Sequence, residues 1–478
     1  MKTVIKLPLI LALFLLLLMS TQVSAHEQHE SQERPSCRVC GMYIDQYQKS
    51  AAELVYKNGK KEYSCGVACM LRMVDDEGGI DAFESVKVHD WVSGELVDAR
   101  TATYVLGSNV IPDMIPNYIA FAKREEAEAF AAKEGGDVID FNIAYDDISP
   151  VGTTAPFRIR TAVTPGKGNF SAGMVYGYAQ KDNLKIGSNG QDPDNFIHSN
   201  PAQPRAPKEM QVMQQSLTFN YSPTDDFALF MNVPWFEKRM TTLTQTQPPP
   251  VPGQPVKAGS FGETVDNENG LGDITIEGRY NLWRSTRWDK FATILLGTTL
   301  PTGHFNGTRD NALALQAPGL QLGKGTATFT GGMLYSQRWK DFWLHTSALY
   351  TVNPENDDDF AYGDVLNGGV ALHYTPNYDW MVGIEMDASY TQKNEDRGIN
   401  VNNSGGTALN LAFVSDYRFL NALGGNFKLR SSIGLPIYED LNYQNARSPR
   451  GGFTQVQLGD GFFANVSVVW TFRAAPDY

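Results

Sequence analysis

The chain has 478 residues and a formal net charge of −13 at pH 7, which argues against nucleic-acid binding, since that needs a basic patch. Only 42% of the residues are hydrophobic, although Gly (44), Phe (25) and Tyr (21) are abundant; a water-filled barrel has this composition, because each strand is apolar on one face only. Beyond the N-terminal leader, no apolar run reaches the ~20 residues that a membrane-spanning helix needs.

Lys2 and Lys6 precede an apolar run over residues 7–19, and Val23-Ser24-Ala25 reads as a small-residue cleavage site. This predicts a secretory signal peptide over 1–25, with His26 as the first mature residue. No Cys follows the cleavage site, so no lipid anchor is expected there. Residues 26–35 form a polar tail in which the amine and imidazole of His26, with His29 nearby, could chelate Cu(II). The plainer reading is a disordered, highly charged segment.

Residues 36–147 read as an α+β domain of one core. Residues 51–56 and 60–64 flank Asn58-Gly59, a hairpin signal because this pair supplies positive φ at a tight turn. A short helix is expected over 66–74, a strand over 102–106, a helix over 124–133 ended by Gly135-Gly136, and a closing strand over 137–141. Residues 148–168 read as a linker.

From Asn169 to Phe472 the grammar changes to period two, the signature of strands whose successive side chains face opposite ways. Trp380, Val382, Ile384, Met386, Ala388 and Tyr390 alternate with Met381, Gly383, Glu385, Asp387 and Ser389. About twelve such segments, joined by connectors that alternate short and long, predict an antiparallel transmembrane barrel over 169–472 with short periplasmic turns. Residues 473–478 form a C-terminal tail. An even strand number leaves both ends in the periplasm, which places the 36–147 domain there. A soluble sandwich would keep its apolar face inside. Here the apolar face carries candidate girdle aromatics (Tyr221, Phe291, Trp339, Tyr374, Trp380, Tyr390, Trp470). The other face carries Glu277, Arg279, Glu385, Asp387, Asp416, Lys428 and Arg430, and charges at lipid midplane cost ~2–4 kcal/mol each. His345 and His373 share that inner parity and are expected on a solvated lumen wall.

All four cysteines lie between Cys37 and Cys69, so they serve one small region. Cys37-Arg38-Val39-Cys40-Gly41-Met42, Cys65, Cys69 and Met114 supply soft sulfur donors, which select Cu(I). Disulfides, a structural zinc site and a redox dithiol compete with that reading.

The segments CRVCGMYID (37–45), VHDW (88–91), ATYVLGS (102–108), Pro112-Asp113-Met114 and AEAFAAKEGGDVIDF (127–141) resemble, in order, the NosL family of copper-binding accessory proteins of nitrous oxide reductase assembly. The resemblance implies paired strand-and-helix units and Cu(I) held by Cys40, Met42 and Met114, with Cys37 and Cys65 next. The family carries an N-terminal lipid-anchor Cys that this chain does not have, and Cys69 stands where the family pattern has no cysteine. The segments GLGDITIEGRYNLW (270–283) and GTTLPTG (297–303) resemble outer-membrane channels of the MetA pathway of phenol degradation, which implies a small-molecule channel.

The combined expectation is an outer-membrane channel, in contact with outer-membrane lipid, with a periplasmic Cu(I)-binding domain. It would act in copper handling or transport, with a periplasmic copper protein as partner. No nucleophile, base and oxyanion site assemble, so no enzyme is expected. The alternative is a passive channel for small organic molecules, with a disulfide-bonded structural or docking domain at its N-terminus.

Overall fold

The computed structural model describes residues 34–148, 155–200, 203, 205–245, 261–307, 317–448 and 451–474. The expected signal peptide, with His26 and His29, lies outside them. Gly59 adopts φ +84, closing the hairpin of β1 (Ala52–Tyr56) and β2 (Lys61–Ser64). With β3 (Phe83–His89) and β4 (Leu96–Asp98) they form an antiparallel sheet of order β2-β1-β3-β4. Helix α1 (Val67–Asp76) buries its residues from Val67 to Val74 in the same core. A second unit has β5 (Thr103–Leu106), β6 (Tyr118–Phe121) and β7 (Asp137–Ile139) in order β6-β5-β7. Its helix α2 (Arg124–Glu134) ends at Gly135, φ +76. The closing strand stops short of the expected Phe141. The Asp140 carboxylate accepts the Ile143 N–H and caps a further helix, α3 (Phe141–Asp146).

The period-two segments pair into a closed antiparallel barrel of twelve strands. In chain order these are β8 (Asn169–Lys181), β9 (Arg205–Tyr221), β10 (Phe227–Gln245), β12 (Ile274–Arg284), β13 (Lys290–Leu300), β14 (Thr328–Trp339), β15 (Phe342–Val352), β16 (Val365–Tyr374), β17 (Trp380–Thr391), β18 (Gly406–Ala422), β19 (Gly425–Leu441) and β20 (Phe463–Arg473). The segment β11 (Phe261–Leu271) pairs with β10 from Trp235 to Gln245, so residues 261–270, expected within a long connector over 244–270, extend the hairpin as a strand. The barrel closes where β8 pairs with β20, from Asn169↔Arg473 to Ala179↔Phe463. Leu296, Phe413, Tyr390 and Ile433 are more than half exposed on the outer face, which is the apolar surface lipid requires. Glu277, Glu385 and Asp416 are buried on the inner face. This is an outer-membrane barrel with the N-terminal domain on its periplasmic side.

The inside of the barrel is not simply water. Residues 155–164, within the stretch read as a linker, run through the lumen. Arg158 pairs with Asp387 of β17 at 2.7 Å, and the Phe157 and Arg158 N–H groups donate to Glu385. Arg160 makes a forked pair with Glu277 of β12, at 2.8 and 3.0 Å, on the far side of the ring. Ala162 and Val163 then pack with Phe291, Leu295, Leu334 and Trp343. Phe291 is therefore not a girdle residue: it is fully buried and faces inward, because the inserted segment makes that part of the lumen an apolar core. His345 and His373 do lie side by side, with ring centroids 5.1 Å apart. They are fully buried rather than solvated, His345 bonding Thr161 and Ser336, and His373 bonding Glu385.

The N-terminal domain and barrel form one compact unit over Ser36–Tyr478. Tyr378, in the turn between β16 and β17, is held between Arg72 of α1 (4.4 Å) and Arg418 of β18 (3.7 Å), both over its ring. Arg287 pairs with Asp137 at 3.0 Å. Two glycines of the domain meet barrel backbone: a Cβ on Gly41 (φ +80) would lie 2.0 Å from the Gly425 carbonyl oxygen, and one on Gly107 (φ +78) 1.8 Å from that of Thr286.

Two outcomes are expected. Replacing Arg158 and Arg160 together by Ala frees the inserted segment, so single-channel conductance in planar bilayers should rise several-fold; an unchanged conductance would show that the segment does not restrict the pore. Gly107→Ala adds a strained left-handed residue, at least about 1–2 kcal/mol, as well as the clash. Deuterium uptake at residues 103–118 should rise while barrel strands stay protected, and equal uptake in both proteins would count against a tight backbone seat.

Candidate metal centre

The two cysteines of the first motif are brought together by a tight loop. The Gly41 N–H donates to the Cys37 carbonyl at 2.8 Å, and the Cys37 N–H to the Met42 carbonyl at 2.8 Å. Positive φ at Gly41 lets the chain turn back on itself. Cys65 follows β2, and Cys69 sits in the first turn of α1, after the Gly66 cap. Met114 comes from the loop between β5 and β6. All four cysteines are buried and free, and their Sγ atoms lie within 4.8 Å of one another. Cys40 and Cys65 sulfurs are 3.4 Å apart, Cys65 and Cys69 3.6 Å, and Cys69 Sγ is 3.1 Å from Met114 Sδ.

Of the residues expected from sequence, Cys37, Cys40, Cys65 and Met114 converge. Met42 is buried on the wall of the adjoining cavity beside Cys40 and Met114. Its sulfur makes no hydrogen bond to the cluster among the described residues. Cys69, which the sequence pattern set aside, is a full member. Its signal was the spacing: four residues after Cys65, across a glycine cap, is one helical turn.

Cys37, Cys65 and Cys69 do not titrate alike. Hydrogen bonds from Cys40, Cys65 and Cys69 pull Cys37 well below the usual thiol range. Burial holds Cys65 well above it, and the hydrogen bond to Cys37 does the same for Cys69. The cluster by itself thus favours a thiolate at Cys37 over one at Cys65 or Cys69. A central cation would reverse that preference by neutralising further thiolates. Asp113, beside Met114, is fully buried with Oδ2 unpartnered, and burial raises its carboxyl to about 7.

Both sulfur-bearing loops are tied to the barrel rim. Arg418 donates to the Val39 carbonyl, Asn421 to that of Arg38 at 2.6 Å, and Asn426 to that of Cys40 at 3.5 Å. Arg473 donates to the Asp113 carbonyl, and Tyr47 donates to the carbonyl of Arg473 at 3.3 Å. Sequence alone gave no sign of these partners, which stand hundreds of positions away. Between the N-terminal domain and the rim lies a cavity of about 120 Å³, lined by Cys40, Met42 and Met114 from the domain and by Arg338, Arg418 and Lys428 from the barrel.

Residues 28–150 match the NosL family model. Over 123 residues the chain is 33% identical to the copper-binding lipoprotein NosL of Stutzerimonas stutzeri, a match covering 24% of this chain and 62% of that protein, so the chain spans under two thirds of this curated relative. The copper chaperone NosL from Shewanella denitrificans is similar at 23% identity over 25% of this chain and 96% of that one, with a TM-score of 0.22. An outer membrane channel from Pseudomonas putida F1 is similar at 12% identity over 67% of this chain and 100% of that one, with a TM-score of 0.42. Residues 186–433, just over half of the 478, match the model described as putative MetA-pathway of phenol degradation. With its barrel carrying that match behind a NosL-type domain, the chain belongs to the putative MetA-pathway of phenol degradation family.

Proposed function

We propose that the protein handles copper at the outer membrane: a periplasmic domain over 36–147 binds Cu(I) and delivers it to, or receives it from, the mouth of a channel over 169–472. The observation that carries this is the buried convergence of Cys37, Cys40, Cys65, Cys69 and Met114, of which Cys40 and Met114 reach a cavity that the barrel rim completes. Thiolate and thioether sulfurs are soft donors suited to Cu(I), and the family relative is named as a copper-binding lipoprotein. Met42, on the cavity wall, stands where a metal would enter or leave. Docking replaces diffusion on a flexible tether with a fixed approach, because the sulfur loops are hydrogen-bonded to the rim. A periplasmic copper protein is the natural partner on the outer side of the domain. Binding and passage, not catalysis, are the roles this geometry serves.

One observation favours a second occupant. Four thiolates within 4.8 Å of one another is also the donor set of a structural zinc site. Met114 at 3.1 Å from Cys69 Sγ favours copper, since thioether is a poor zinc ligand. The rival use, a passive channel for small organic molecules, would have these cysteines as two disulfides.

Reduced full-length protein in detergent should bind Cu(I) against a chromophoric chelator. Cys65→Ser with Cys69→Ser should weaken it at least ~100-fold, beyond the effect of losing an outer-shell partner. Met114→Ala should weaken Cu(I) but leave any Zn(II) binding unchanged. Absence of Cu(I) binding, or two disulfides found by mass spectrometry in protein isolated under thiol-trapping conditions, would overturn the proposal.

A further inference from the structure

The cavity between the N-terminal domain and the barrel has a charge balance that copper chemistry does not explain. Four cationic side chains line it (Arg338, Arg418, Lys428 and Arg473) against one carboxylate, Asp113. A bare metal cation gains nothing from such a wall. Arg473 is satisfied by carbonyls of Ile111, Asp113 and Lys167. The others are answered less fully. Arg338, only 7% exposed, makes no direct hydrogen bond or ion pair among the described residues, although the Asp147 carboxylate lies within reach of its charge, and Lys428 makes no direct hydrogen bond or ion pair either. Arg418 leaves its Nε buried and unpartnered.

The register sharpens the point. Arg418 and Lys428 are direct cross-strand partners of β18 and β19, and like charges placed opposite one another destabilise a sheet. The neighbouring acid, Asp416, is shared, because its Oδ2 is paired to Arg430 at 2.9 Å. Arg338 is likewise opposite Trp343, whose indole N–H is buried without an acceptor, as is that of Trp288 on the same cavity. Buried donors left unpaired cost about 1–3 kcal/mol each; three of them, Arg418 Nε and the two indole N–H groups, beside the charges of Arg338 and Lys428, outnumber the two unpaired acceptors, Asp113 Oδ2 and Asn426 Oδ1, and mark a place for an acceptor. All these cationic and indole groups donate hydrogen bonds, and apolar walls from Phe291, Val163 and Ile115 stand beside them.

We propose that this junction cavity is a binding site for a small organic carboxylate, its charge seated on Arg338, Arg418 and Lys428 with the indole N–H groups of Trp288 and Trp343 as further donors. Guanidinium forks match carboxylate geometry, and the apolar walls favour an organic body over a bare inorganic oxyanion. The site stands on its own residues and does not require that the cluster hold copper. If it does, the metal crosses the junction in the company of an anion.

The test uses the full chain in detergent, with succinate as the probe and sulfate as the comparison, by isothermal titration calorimetry and thermal unfolding. Succinate should bind saturably and raise the melting temperature by mass action. Arg338→Gln and Lys428→Gln should each weaken it at least ~10-fold. Because Lys428 opposes Arg418, Lys428→Gln should also melt higher than the parent protein when no anion is present, which a merely structural lysine would not do. Cu(I) stoichiometry should stay the same in both variants, separating failure here from failure of the copper reading. No succinate binding, equal binding by the variants, or tighter binding of sulfate than succinate would overturn the proposal.

Discussion

The seat of the N-terminal domain on the barrel depends on charged barrel side chains that bond to backbone carbonyls of the sulfur loops. Arg418 reaches the carbonyl of Val39, between the two cysteines of the first motif, and Arg473 reaches that of Asp113, next to Met114. Hydrogen bonds from a charged donor are stronger than neutral ones, and here the donors are largely buried. Glycine at positions 41 and 107 makes this possible by letting two backbones touch. The metal loops are therefore shaped from both sides, by their own turn and by the rim they rest on.

The same principle operates inside the barrel. A lumen rich in buried charge would normally be solvated, yet Glu277, Glu385 and Asp387 are answered by the side chains or amide groups of residues 157–160. Pairing each inward carboxylate with a partner removes most of the cost of burying it. It also lets Phe291 and Leu295 turn inward against Ala162 and Val163. The segment joining the two domains is thus part of the barrel interior, and it ends where the junction cavity begins, since Val163 and Thr164 line that cavity.

Much of this could be read in the sequence where one short-range rule dominated. Asn58-Gly59 predicted a hairpin because positive φ is a local property. The alternation around Trp380–Thr391 predicted a strand because lipid on one side and protein on the other impose period two. Local rules failed where a distant segment changed the environment. Phe291 had the character of a girdle aromatic, but it shares the inward parity of Leu295, and its burial there comes from a covering segment more than a hundred residues earlier. The strand expected over 137–141 ends at Ile139, because the Asp140 cap starts a helix.

For the candidate site, the sequence by itself determined the chemistry: sulfur donors confined between Cys37 and Met114, on an exported chain with a barrel behind them. Donor type is a property of the residue, so it survives any fold. Only the tertiary structure decided that Cys69 joins the cluster, that Met42 stands on the cavity wall, and that Arg338, Arg418 and Lys428 line the same cavity as Cys40 and Met114. Those facts depend on which backbones approach, and approach is set by packing between strands and loops that are far apart along the chain.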